Sequence, residues 1–444
     1  LQLKRVLTLR TVVATSAGLT LATSSFVAAA QVAGFMAGDS AWLSILVSGV
    51  LCLLAAACFS ELNSILPSAA GIRLYLGKAF GDKVALTFSI LYMLVVMGVV
   101  GAESFVLAKI FNYTIPQVAP VIWITVMLAI VTLLNIRGIK LAGRFQDIVT
   151  YGVIVSVILL SLWGLKQVNF HLVAPLAVGG ASNFIQAVAV GIFLFVGFEW
   201  VTPLAEEVTD SRIITRGMFI AVGIVCIVYA LFTAAMTANV ARDVFIHSPI
   251  PQVLFAQKVL GKVGLVWILL ICLSCSFGTF NAGLLSVSRF FYATAREHAL
   301  PPVFSRISMR FMTPWVSIIA VFVVGYAFSL VILYTGRYLV LVDMAAAAES
   351  IIYVLSAAAL LVLRKKMADA PRSFKVPFGP VIPVLTMLIF AVLAVMAIAT
   401  DPVIALWMVA GLVVIGLYVV YVVPRIKEKY KVKRSSRRDG RPIL

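Results

Sequence analysis

Residues 193–208 read FLFVGFEWVTPLAEEV, and residues 16–26 read SAGLTLATSSF. Each lies in a run otherwise long and apolar enough for one bilayer crossing, and each makes that run a worse helix. Gly197 and Pro203 weaken the later run, and an ionised Glu199 in hydrocarbon costs at least ~2.5 kcal/mol even on lenient insertion scales. In the earlier run Gly18, Thr20, Thr23, Ser24 and Ser25 crowd a stretch near mid-membrane. Such spans are expected to face a cavity. A broken helix exposes unpaired amides and carbonyls, and these coordinate a polar solute without stranding charged side chains in lipid. Interruptions at equivalent positions, in the first and sixth spans, point to an inverted-repeat secondary transporter with a midplane binding site.

The surrounding composition sets the class. Of 444 residues 63% are hydrophobic and 12% charged, and the mean hydropathy is +1.11, whereas soluble domains carry about 25% charged residues. A soluble enzyme and a disordered chain are both excluded. At about 20 apolar residues per crossing, twelve spans are expected: 11–36, 41–66, 84–111, 121–137, 147–165, 183–208, 217–240, 263–292, 315–334, 338–363, 379–399 and 402–423. None alternates as barrel strands do. The expected architecture is an all-α integral membrane fold, with one repeat in 1–165 and an inverted one in 166–363. Two further spans fill 364–424, and a basic tail fills 425–444. Of the loops, only 242–262 and 293–314 are long enough to hold local structure. Lys4, Arg5 and Arg10 before an apolar run imitate a secretory leader, but the hydroxyls of residues 20–25 make the run too polar for one.

The net charge of +18 carries orientation rather than partner choice. With the N-terminus inside, 29 of the 35 lysines and arginines fall on the cytoplasmic side. The outer loops hold Lys166, Arg242, Lys258, Lys262 and Arg337, and Lys109 lies near the outer end of span 3. Both termini are therefore expected in the cytoplasm, in a cell membrane protein whose tail anchors topology or meets anionic lipid. No nucleic-acid partner is implied. Cys52, Cys58, Cys226, Cys272 and Cys275 sit in apolar runs without metal or redox spacing, and no cofactor is expected.

Four segments carry a resemblance. FVGFEWVTPLAEEV (195–208) has a Gly-Phe-acid step and a closing Glu-Glu, and SELNSILPSAAGIRLYLGKAFG (60–81) combines Glu, Pro, Gly and Tyr. SVSRFFYATAREHALPPVFSRI (286–307) holds Arg-x-x-Tyr-x-x-x-Arg followed by Leu-Pro, and PRSFKVPFGPVIP (371–383) precedes span 11. In register along most of the chain, these resemble the amino acid, polyamine and organocation transporters. The resemblance implies a LeuT-like five-plus-five fold with two added helices. It also implies rocking of spans 1 and 6 against spans 3, 4, 8 and 9, and uptake or exchange of small ammonium compounds. Two departures matter. Amino acid carriers of that family have a Gly-Ser-Gly type break whose bare amides hold the substrate carboxylate, where this chain has Thr23, Ser24 and Ser25. Several proton-coupled relatives have a Lys in span 5, where this chain has none.

Three carboxyls lie well inside spans: Glu103, Glu199 and Glu349. Each must meet a cation, a proton or buried donors. No Lys or Arg at mid-depth pairs with all three, which favours a positively charged cargo: an amine, a polyamine or a cationic amino acid. A neutral amino acid permease or exchanger is the alternative. Substrate contacts are expected from Thr23, Ser24, Ser25, Phe26, Glu103, Phe195, Gly197, Phe198, Glu199, Trp200 and Glu349. Phe198 and Trp200 are either a cation-binding aromatic wall or packing. Ser276 and Thr279 are candidates for a coupling sodium, with protons the other coupling ion, or they bond only to their own helices. Glu206 and Glu207 are expected to pair with Arg289 or Arg296. A channel would show a repeated filter, and an enzyme would need more than the scattered His171, His247 and His298.

Overall fold

The apolar runs fold as helices because the hydrocarbon core offers the backbone no other partners. The computed structural model describes residues 5–168, 180–243, 248, 250–399 and 402–428. His171, His247 and most of the basic tail lie outside the described residues. In chain order the helices are α1 (Leu9–Thr20), α2 (Thr23–Gln31), α3 (Ala41–Ile65), α4 (Ile72–Phe80), α5 (Asp82–Thr114), α6 (Pro120–Ile136) and α7 (Ile139–Lys166). They continue as α8 (Ala181–Phe193), a 3-10 segment (Phe198–Glu206), α9 (Arg212–Asn239), α10 (Pro251–Arg296), α11 (Trp315–Thr335), α12 (Tyr338–Lys366), α13 (Val381–Ala399) and α14 (Pro402–Leu417). Among the described residues, ten helical stretches are long and apolar enough to cross a membrane. Their outer faces are bare apolar surface, with Ile148 71% and Val395 67% exposed, as lipid-facing positions would be.

Both expected interruptions are present. The first is the non-helical pair Leu21 (ψ 67°) and Ala22 (ψ 151°) between α1 and α2. The second runs from the end of α8 to Gly197, at φ +108°, where the chain re-enters as a tight 3-10 helix containing Pro203. A side chain there would be strained by the positive φ and would press on Leu19. The hydroxyl of Ser16 in α1 donates to the Phe198 carbonyl at 2.8 Å, tying the two breaks together.

Small residues bring α1 into the centre of the bundle, packed against α7, α9 and α10. A Cβ on Gly217 would fall 2.3 Å from Val12 Cγ1, and one on Gly18 would fall 1.9 Å from Gln146 Nε2. Close approach at small residues is how membrane helices gain contact without a hydrophobic driving force. All five cysteines are buried and free.

One region differs from expectation. The segment between spans 41–66 and 84–111 is not among the loops expected to hold local structure, yet α4 lies there, bracketed by Gly71 (φ +46°) and Gly81 (φ +94°). Its amphipathic face buries Ile72, Tyr75, Leu76 and Ala79, too short a stripe to register as a span. The 242–262 segment, long enough to hold local structure by the sequence, does so: α10 starts at Pro251 and is broken only at Gly261, at φ +58°.

The end of the bundle that carries the N-terminus is latched. The Val6 and Leu7 amides donate to the Glu207 carbonyl at 2.9 and 3.0 Å, and Leu7 forms a parallel bridge with Val208. The expected acid–arginine pairs form here: Arg289 Nε donates to Glu207 at 2.9 Å with both side chains buried, and Arg296 grips Glu206 through two bonds of 2.9 and 2.7 Å. Glu61 meets Arg364 at 2.6 Å and takes the Val376 amide at 2.7 Å, while Arg73 pairs with Glu297.

Candidate functional site

At the first break, α2 begins with amides that have no carbonyl one turn earlier to bond. Glu103 of α5 supplies the acceptor. The Thr23 amide donates to one carboxylate oxygen at 2.8 Å and the Ser24 amide to the other at 2.9 Å. The Ser276 hydroxyl of α10 donates to the first oxygen at 2.7 Å. Each of these partners is a donor, and Glu103 is wholly buried. The carbonyls at the end of α1 are met in the same way. Thr20 accepts from the Tyr229 hydroxyl at 2.6 Å and Gly18 from the Thr279 hydroxyl at 3.2 Å. Thr23 donates its hydroxyl to the Cys272 carbonyl at 2.9 Å and lies 3.2 Å from Ser276 Oγ, and Ser25 reaches the Thr20 carbonyl at 3.3 Å. The first break is thus closed on itself.

The second break is built differently. Glu199, on the 3-10 segment, and Glu349, on α12, are both buried and share two phenols. Tyr353 Oη lies 2.7 Å from Glu199 and 3.0 Å from Glu349. Tyr92 Oη lies against Glu199 and 3.2 Å from Glu349. The Gly197 amide, freed by the break, donates to Glu349 at 2.9 Å. Among the described residues, the ion pairs of the chain include neither Glu199 nor Glu349. Two carboxyls that share hydroxyl partners with no basic side chain between them need a proton or a cation to balance their charge.

A cavity of about 350 Å³ opens beside this pair, between α2, α8, α12 and α13. Glu349 and Tyr353 form its polar end, and Phe193, Val196, Phe390 and Leu393 are among its apolar walls. Of the three intramembrane acids, Glu349 alone lines it. The arrangement differs from three carboxyls spaced around one cavity, because Glu103 is drawn to the α2 amides.

The aromatic candidates separate in the same way. Phe26 packs 4.7 Å from Phe232 and 5.6 Å from Tyr229, and Phe195 lies 6.3 Å from Tyr229, so both join a buried ring cluster. Phe198 packs 5.7 Å from Tyr353, and Trp200 lies 4.7 Å from Tyr92, which places both against the phenols of the acid pair. The Trp200 indole N–H is buried without an acceptor among the described residues. Tyr92 and Tyr353 themselves escaped the reading of the sequence. Tyr353 follows Glu349 by four residues on one helix face, so a periodicity search around that acid finds it, whereas Tyr92 meets Glu199 and Glu349 only across helices and no spacing in the sequence marks it.

The profile of the amino acid permease family matches residues 7–423. The chain is similar to the large neutral amino acids transporter small subunit 2 of Mus musculus, 26% identical over 81% of this chain and 70% of that one. It is similar to the cystine/glutamate transporter of Homo sapiens, 25% identical over 80% and 72%. The methylthioribose transporter of Bacillus subtilis (strain 168) is 25% identical over 83% of each. The long apolar helices, the interrupted first and sixth runs and the near full-length match agree: the chain belongs to the amino acid permease family, as a multi-pass membrane transporter of the amino acid, polyamine and organocation group.

Proposed function

We propose that this permease moves small organic ammonium substrates, an amine, a polyamine or a cationic amino acid, across the cell membrane by alternating access. The observation that carries this reading is the buried Glu199–Glu349 pair, which lacks a basic partner and abuts a cavity. A cationic cargo completes its charge, and the Tyr92 and Tyr353 hydroxyls with the Gly197 amide hold the carboxyls toward it. Phe198 and Trp200 add ring faces, each worth about 0.5–2 kcal/mol to an ammonium group. Thr23, Ser24, Ser25 and Glu103 close the first break behind this pair, and Phe26 and Phe195 pack in the ring cluster around Tyr229, so in this reading all six support the site rather than wall it. Ser276 and Thr279, the candidates for a coupling sodium, already donate to Glu103 and to the Gly18 carbonyl, so protonation of the acid pair is the proposed means of coupling.

In this reading twelve spans form two inverted five-helix repeats plus two helices, with both termini in the cytoplasm. The latch of Glu206, Glu207, Arg289 and Arg296 then closes the inner side, and rocking of the interrupted helices opens it. A neutral amino acid permease is the second reading, favoured by the name of the mouse relative. A thermal-shift screen of amines, polyamines and amino acids on the purified protein separates the two. A ligand at 100 times its Kd adds about 2.7 kcal/mol. Stabilisation by amines supports the first reading, and stabilisation by neutral amino acids alone replaces it with the second.

A further inference from the structure

We infer that the cavity between α2, α8, α12 and α13 is a binding site for a singly charged amine with an apolar body, the ammonium seated on Glu349 and the body along α8 and α13. The inference rests on the ammonium-carrier reading above and narrows its substrate class. At about 350 Å³ the cavity is in the range of small-molecule sites, which are mostly apolar with a few placed polar groups. Here Glu349 and Tyr353 lie one turn apart on α12 and are joined by a hydrogen bond of 3.0 Å. Glu349 is the sole carboxyl among the lining residues, and no Lys, Arg or His accompanies it. Its oxygen Oε1 already receives the Gly197 amide and sits within reach of both phenols, which fixes the carboxyl at the cavity wall.

The apolar walls include Phe193 of α8, Val196 just beyond it, and Phe390 and Leu393 of α13, with Gln31 and Gln186 the remaining long polar side chains. An alkyl or aryl body gains about four-fold in affinity for each methylene buried there. A second ammonium at the far end of the same body finds no carboxylate and loses its hydration. A diamine of matched length is therefore a poorer ligand than a monoamine. An uncharged alcohol of that length leaves the acid pair without its cation.

The test titrates the full-length purified protein with hexylamine, hexamethylenediamine, hexanol and norleucine, by calorimetry and by thermal shift. Hexylamine is expected to bind at least about ten-fold tighter than the diamine or the alcohol. Ala346→Leu, which adds bulk to the α12 wall of the cavity, is expected to weaken hexylamine by about ten-fold and butylamine by less. This variant also separates binding in the cavity from partition into detergent, which it leaves unchanged. Equal or tighter binding of the diamine overturns the inference and leaves the ammonium carrier standing. Hexanol binding as tightly as hexylamine, or Ala346→Leu without effect on hexylamine, overturns it as well. Binding of norleucine alone removes both the inference and the reading beneath it.

Discussion

The two helix breaks begin from the same physical problem and solve it with opposite chemistry. At the first, amides of α2 left without carbonyls meet the carboxylate of Glu103, and the Ser276 hydroxyl adds a third donor to it. Donor and acceptor inventories match, so the site is complete with no visitor. At the second, Gly197 frees one amide, which Glu349 takes, yet two carboxyls converge on the same two phenols. Acceptors outnumber donors, and the shortfall is positive charge. A buried acid in a membrane helix is thus a sign of function only after its donors have been counted: Glu103 seals a break, whereas Glu199 and Glu349 leave one unfinished.

That contrast predicts different variant behaviour. The largest effect is expected from Glu103→Ala, which strands two amides and a hydroxyl at about 1–3 kcal/mol each. Thermal inactivation of the purified protein should move down by several degrees or more, and an unchanged midpoint would show that the first break is not held by this carboxylate. Next comes Glu199→Gln, which keeps the shape and a hydrogen-bond acceptor for Tyr353. Uptake of a cationic amine should fall by about ten-fold or more, as expected for loss of a charge-assisted contact, with expression and thermal midpoint near wild type. If uptake survives, the ammonium role of the second break is wrong. The smallest effect is expected from Tyr353→Phe, which removes one neutral hydroxyl at about 1 kcal/mol and raises the Kd of an amine by about five-fold. A loss as large as that from Glu199→Gln would shift the main contact from the acids to the phenol.

Much of this was legible in the sequence, because hydrocarbon makes every polar residue conspicuous. The two interrupted runs, the three acids and the arginines that answer Glu206 and Glu207 all stand out against apolar helix. What was not legible involves residues that look ordinary in a membrane span. Phe390 and Leu393 line the cavity, yet by type they match the lipid-facing residues Leu388 and Val392 beside them. Tyr353 reads as a common span aromatic until its spacing from Glu349 is counted, and Tyr92, whose acids lie on other helices, reads as one throughout. Phe26 and Phe195 flank the breaks in sequence but turn into the ring cluster around Tyr229, since neighbours along an irregular backbone point in different directions. The helix α4 escaped because its buried stripe is one short face rather than a span-length run.

The central claim, a carrier for ammonium compounds, is tested most directly by counterflow in proteoliposomes. Vesicles loaded with an unlabelled, membrane-impermeant ammonium compound that stabilises the protein, putrescine or lysine, should transiently accumulate its labelled form through the wild-type protein, and vesicles bearing Glu199→Gln should not. Counterflow of a labelled neutral amino acid with none of the amine would contradict it.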